Sequence, residues 1–102
     1  MAKWVRACNT ADFQKTYLFV NKRKEYALFK LEDGVFCTTN SCSHEYSPLC
    51  EGMIVGTDVY CPKHGSRFDI KTGAVKDYPA TRPVKTFPVR VDDDGEIHVQ
   101  IK

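Results

Sequence analysis

Apolar and polar residues alternate along much of this chain, in short runs cut by turn residues. The last hairpin is the clearest. Phe87, Val89 and Val91 alternate, Asp92-Asp93-Asp94-Gly95 turns the chain, and Ile97, Val99 and Ile101 alternate again. A period of two belongs to a strand with one buried face. Trp4–Cys8 and Thr16–Val20 are rich in aromatic and β-branched residues, which suit a pleated, half-buried surface. Tyr26–Leu31 and Val35–Thr39 flank Asp33-Gly34, a two-residue hairpin signal. Further strands are expected over Met53–Tyr60, with a break at Gly56, and over Arg67–Ile70, ending near Thr72-Gly73. Lys22-Arg23-Lys24 reads as a solvated hairpin turn, and His98 as a solvent-facing residue of the last strand. One helical turn is expected near Thr10–Gln14, capped by Thr10. Many short strands with Gly and Pro punctuation predict an all-β fold, a small antiparallel sandwich or barrel forming one domain over residues 1–102.

Two segments resist strand assignment, at about residues 40–52 and 61–66, and both are rich in Cys, His, Ser, Pro and Gly. A chain of 102 residues buries roughly two-thirds of the surface its unfolded form exposes, so a disulfide or metal site would add useful stability. The five cysteines are Cys8, Cys37, Cys42, Cys50 and Cys61. That odd number, behind a Met1–Thr10 segment with no apolar run, argues against a secreted disulfide framework. No stretch is apolar for long enough to span a membrane. The expectation is a cytoplasmic protein whose thiols are metal ligands or core residues. A net charge of +2, from fifteen Lys and Arg against thirteen Asp and Glu, is too small a bias to indicate nucleic acid.

The first loop holds Cys42-Ser43-His44 and the second Cys61-Pro62-Lys63-His64. Each offers one thiolate and one imidazole. In a [2Fe–2S] centre of mixed ligation, two thiolates bind one iron and two histidines the other. The competing reading is tetrahedral zinc, which also takes two sulfurs and two nitrogens. Zinc fingers usually pair like with like, as C-x-x-C followed by two histidines, and Cys-x-His with Cys-x-x-His departs from that spacing. The remaining cysteines, Cys8, Cys37 and Cys50, read as small apolar fillers or partly exposed thiols.

The segment Cys42–Val91 resembles a Rieske ferredoxin. It shows C-x-H, then C-P-x-H-G-S-R-F-D, then Thr72-Gly73, then P-A-x-x-P over Pro79–Pro83. The following Val84–Val91 stretch is similar to that of ferredoxins serving aromatic ring-hydroxylating dioxygenases. The resemblance implies a β-sandwich-like body with a two-loop cluster-binding subdomain at one end. It implies one [2Fe–2S] cluster held by Cys42, His44, Cys61 and His64, with the cysteines inward and the histidines toward the surface. Gly65 would allow a close backbone turn beside the cluster, and Ser66 matches a hydroxyl donor of high-potential relatives.

The implied function is that of a carrier, not an enzyme. It takes single electrons from a flavin-containing ferredoxin reductase to a terminal oxygenase, and a monomer is expected. The chain is short for a terminal oxygenase, and only His98 remains beyond the four ligands, too few for a 2-His-1-carboxylate iron site. The alternative is the small subunit of an assimilatory nitrite reductase, a family of similar size. Departures from high-potential Rieske proteins also matter. Ser47 and Lys63 stand where those carry a bridging cysteine pair, and Phe68 stands where a tyrosine donates to a thiolate. Fewer donors give the added electron less stabilisation. A redox titration is therefore expected to place the midpoint in the lower part of the Rieske range, about −150 to +300 mV, and a value near the top would overturn this expectation.

Overall fold

A computed structural model describes residues 3–41, 48–62, 65–77 and 82–101. Eleven strands among them form three antiparallel sheets, with the strands numbered in chain order. One sheet carries β1 (Lys3–Asn9), β11 (Glu96–Ile101) and β10 (Val89–Val91), in that order. A second has the order β2 (Thr16–Asn21), β3 (Lys24–Leu31), β4 (Gly34–Thr39) and β9 (Thr86–Phe87). The third runs β5 (Met53–Val55), β6 (Asp58–Tyr60), β7 (Arg67–Asp69) and β8 (Val75–Asp77).

Strand β3 shows how the sheets are layered. Tyr26, Ala27, Leu28 and Phe29 are all buried, although successive side chains of a strand point to opposite faces. Both faces are therefore covered. Tyr26 and Leu28 join a core with Cys8, Phe19, Cys37, Ile97, Val99 and Ile101. Ala27 and Phe29 join another with Leu49, Val59, Cys61, Phe68, Ile70 and Val84. The second sheet is thus the middle layer between two cores. Each fully buried Leu or Phe contributes about 1.5–3 kcal/mol relative to exposure, so both interfaces are substantial for a chain of this size.

The expected all-β class and most strand positions agree with this arrangement. The long Met53–Tyr60 run is two strands folded at Gly56, whose φ is +62°. Lys22 and Arg23 make the β2–β3 turn with φ of 50° and 70°. Three details differ from the sequence reading. The cap near residue 10 is Asn9: its Oδ1 accepts from the Ala11 N–H at 2.9 Å, and its own N–H donates to Asp12 Oδ2 at 2.9 Å. Thr10 already lies inside the short 3-10 turn, Thr10–Asp12. Strand β8, with no alternation to announce it, forms by adding to the free edge of β7. The expected run through Phe87 to Val91 divides at Pro88, which lacks an N–H. Thr86–Phe87 pairs with β4, and Val89–Val91 pairs with β11, so the chain changes sheets there.

His98 points outward, as its alternation with buried Ile97 and Val99 requires, but is only 22 % exposed. Arg6 and Arg90 stand opposite it on the neighbouring strands, and its Nδ1 is 3.6 Å from Asp92. The solvent-facing expectation is corrected to a half-buried one. Of the aromatics, Phe19 and Phe29 are core residues and Trp4 is exposed beneath the Arg90 guanidinium.

The third sheet is reached through a tight contact. A 3-10 turn, Leu49–Glu51, leads to Gly52, where an added Cβ would collide with the Tyr60 carbonyl oxygen and lie 3.0 Å from Val59 Cγ2. Gly52→Ala is expected to lower stability by about 1–3 kcal/mol through overpacking, read as a lower thermal midpoint; an unchanged melt would show that this junction yields.

Candidate metal centre

Of the four expected ligands, Cys61 is among the described residues; Cys42, His44 and His64 lie outside them, as do Ser47 and Lys63. Cys61 follows β6 directly and is 2 % exposed, a member of the core beneath the middle sheet. That burial puts Cys61 on the core side of its loop. Its loop is closed by backbone bonds, the Cys61 N–H donating to the Ser66 carbonyl at 2.7 Å and the Gly65 N–H to the Cys61 carbonyl at 2.9 Å. Gly65 has φ +77°, a conformation that favours glycine, and no described atom lies within 4 Å of where its Cβ would be. Among the described residues, backbone conformation and not crowding is therefore what asks for glycine here. Ser66 is fully buried. Phe68 is buried as well.

Next to this loop, Arg67 draws the third sheet together across its outer face. Its guanidinium pairs with Asp77 at 3.0 Å and Asp58 at 3.7 Å, and Lys76 reaches Asp58 at 2.8 Å. Pairs this exposed contribute little singly, but the network links β6, β7 and β8 behind the Cys61 loop.

The first loop is pinned at both ends. Ser41 and Pro48 form an antiparallel bridge, and the Leu49 N–H donates to the Asn40 carbonyl at 2.7 Å. Asn40 is buried beside it, and its Oδ1 accepts from the Cys50 N–H at 2.9 Å. Leu49 packs in the same core as Cys61, and Gly52 abuts Tyr60, so the bases of the two loops converge. Sequence reasoning assigned no role to Asn40 or to its partner Glu25. The available signal was an asparagine, poorly suited to a strand, at the end of an apolar run just before C-x-H.

The donor chemistry fits a mixed thiolate and imidazole centre. One thiol is buried at a loop mouth, a positive-φ glycine follows, and the other loop is anchored alongside. The four described cysteines form no disulfide. Burial pushes the Cys8 thiol up to about 11 and the Cys37 thiol up to about 12, so both stay protonated at neutral pH. They are core fillers, as their sequence positions suggested. Cys50 is half-buried, and burial with nearby Glu51 and Glu25 raises it too.

A groove of about 890 Å³ opens beside the first loop, with Lys24, Glu25, Ser41, Pro83 and Lys85 among its walls. Lys3, Lys22 and Arg23 belong to the same end of the molecule, since Lys3 pairs with Ile101 and the other two form the turn into Lys24. At the opposite end sit Asp12, Glu32, Asp33, Asp92, Asp93 and Asp94, where the Lys30 ammonium and the Thr10–Gly95 bond join the turns.

Residues 3–88 match the Rieske [2Fe-2S] domain. The chain is 33 % identical over 93 residues to the ferredoxin component of the naphthalene 1,2-dioxygenase system of Pseudomonas putida, covering 89 % of each. It superposes on a Sphingomonas yanoikuyae B1 ferredoxin with a TM-score of 0.89, at 32 % identity, covering 98 % of this chain and 100 % of that one. A chain from the complex of reduced oxygenase and oxidized ferredoxin in carbazole 1,9a-dioxygenase matches with a TM-score of 0.86 and 29 % identity, over 94 % and 91 % of the two chains. A putative NADH-dependent nitrite reductase small subunit from Mycobacterium tuberculosis shares the fold (TM-score 0.87, all of this chain and 97 % of that one), and at 22 % identity the likeness bears on fold alone. The protein belongs to the Rieske [2Fe–2S] domain family, whose members carry a single such cluster.

Cys8→Ala and Cys37→Ala are expected to retain the full iron and sulfide content of the parent, whereas Cys61→Ala loses it. Iron and acid-labile sulfide per chain decide this, and loss in either core variant at unchanged folding would show that the ligand set is misassigned.

Proposed function

We propose that this chain is a ferredoxin, one domain over residues 1–102, that shuttles single electrons from a flavin-containing reductase to a terminal oxygenase acting on aromatic rings. The observation that carries the reading is the match to a dioxygenase ferredoxin component over 89 % of both chains, on a fold that brings the bases of the two Cys-and-His loops together. Cys42, His44, Cys61 and His64 hold the cluster in this reading. The [2Fe–2S] group supplies one-electron chemistry at a potential raised by its imidazole ligands above that of a four-thiolate centre.

The protein's own residues provide placement. The core around Phe29, Phe68 and Leu49 excludes water behind Cys61, and backbone hydrogen bonds close the bases of the two loops. Phe68 carries no hydroxyl and so adds no donor to sulfur in this reading. Among the described residues no helix is long and apolar enough to cross a membrane; a cytoplasmic location is part of the proposed reading. A monomer suits small, transient contacts with two partners in turn.

A nitrite reductase small subunit is the alternative, supported at the level of fold. Purified holoprotein, mixed with reductase and oxygenase of a naphthalene-type system, is expected to restore substrate-dependent oxygen uptake that stops when it is left out. Failure there, with stable copurification on a sirohaem-containing subunit, would overturn the carrier reading in favour of the alternative. Colourless protein containing zinc and no acid-labile sulfide would overturn both.

A further inference from the structure

Asn40 uses all its polar groups in one small region. Its backbone N–H donates to the Glu25 carbonyl at 3.2 Å, and its own carbonyl accepts from the Leu49 N–H at 2.7 Å. In its side chain, Nδ2 donates to Glu25 Oε1 at 3.0 Å and Oδ1 accepts from the Cys50 N–H at 2.9 Å. The residue is 1 % exposed. A buried amide is costly unless satisfied, and here each bond also joins separate pieces of chain. Two run to the start of β3 and two cross to the far end of the first loop.

We infer that the Glu25–Asn40 pair positions the first ligand loop, holding its two ends at a fixed separation so that Cys42 and His44 meet Cys61 and His64 in register. The inference rests on the proposed ligand set. Residues 41–48 are spanned by the Asn40 bonds to Leu49 and Cys50 and braced by the Ser41–Pro48 bridge. Leu49 in turn packs in the core that contains Cys61. A continuous path therefore runs from the Glu25 carboxylate through Asn40 and the Leu49–Cys50 backbone to the second loop. Glu25 is the outer anchor. Its carboxylate orients the Asn40 amide, leaving Oδ1 toward the Cys50 N–H. Groups that orient ligands from behind tune both metal retention and electronic structure.

The polarity of the pair makes a test by exchange possible. Asn40→Asp keeps an acceptor for the Cys50 N–H but sets two carboxylates against each other. Glu25→Gln keeps an acceptor for the Asn40 amide. Combining Glu25→Gln with Asn40→Asp restores one donor and one acceptor with their direction reversed. The holoproteins are compared by iron and sulfide content, rate of iron release to a chelator, midpoint potential and the electron paramagnetic resonance spectrum of the reduced state. Asn40→Asp is expected to release iron about tenfold faster, with a shifted spectrum and potential. Glu25→Gln should match the parent, and the double variant should return most of the way to it. Ile97→Val, in the distant core, is a control for stability alone: it should lower the melting temperature and leave release and spectrum unchanged.

If Asn40→Asp does not fold, Glu25→Ala serves in its place. It removes the anchor while keeping the Cys50 bond, and faster release is again expected. Parent-like release and spectrum in the loaded Asn40→Asp or Glu25→Ala protein would overturn the positioning role. So would a double variant no better than Asn40→Asp. Those outcomes leave the proposed function standing, whereas parent protein without iron and sulfide would overturn both.

Discussion

Burial of β3 on both faces is the constraint on which the remaining architecture depends. A strand with four consecutive buried residues needs a core on each side, and this chain supplies both from short segments. The N- and C-terminal strands cover one face. The other is covered by the third sheet and the Leu49 turn, the region containing Cys61. Packing that stabilises the middle sheet is therefore also packing that seats the metal-binding end. The two roles share Phe29, Leu49 and Phe68.

This sharing explains why so small a protein can hold loops rich in polar residues and glycine without a disulfide among its described cysteines. Each loop is short between its anchors, and those anchors are backbone hydrogen bonds, a β-bridge or buried apolar side chains. The Arg67 network adds a brace on the outer surface of the same sheet.

Much of the fold was legible because its determinants are local. Alternation marked β11, the Asp33-Gly34 pair marked the β3–β4 hairpin, and the break at Gly56 was visible as a glycine in an apolar run. The details that escaped depend on partner strands and not on the segment's own pattern. Strand β8 exists because β7 offers an edge, and Pro88 divides a run because two different sheets claim its halves. His98 is half-buried because Arg90, across the last hairpin, and Arg6, from the other end of the chain, lie opposite it. The site divides in the same way. The proposed ligand types and their spacing are read from Cys42 to His64, and of these the described residues include Cys61, which is buried. The support from Asn40 and Glu25 was hidden, since fifteen residues separate them and only strand pairing makes them neighbours.

The net charge of +2 conceals an uneven distribution. Cations gather around the groove beside the first loop, and carboxylates crowd the turns at the other pole. Lys71 on Asp33 and Arg90 on Asp92 offset part of this separation. Unpaired charges separated in this way contribute a dipole along the separation, on which the field of another charged macromolecule exerts a torque before any atoms touch. Its reach is about 8 Å at physiological ionic strength and contracts as salt is added. Orientation during the approach is thus written into surface residues that take no part in holding iron.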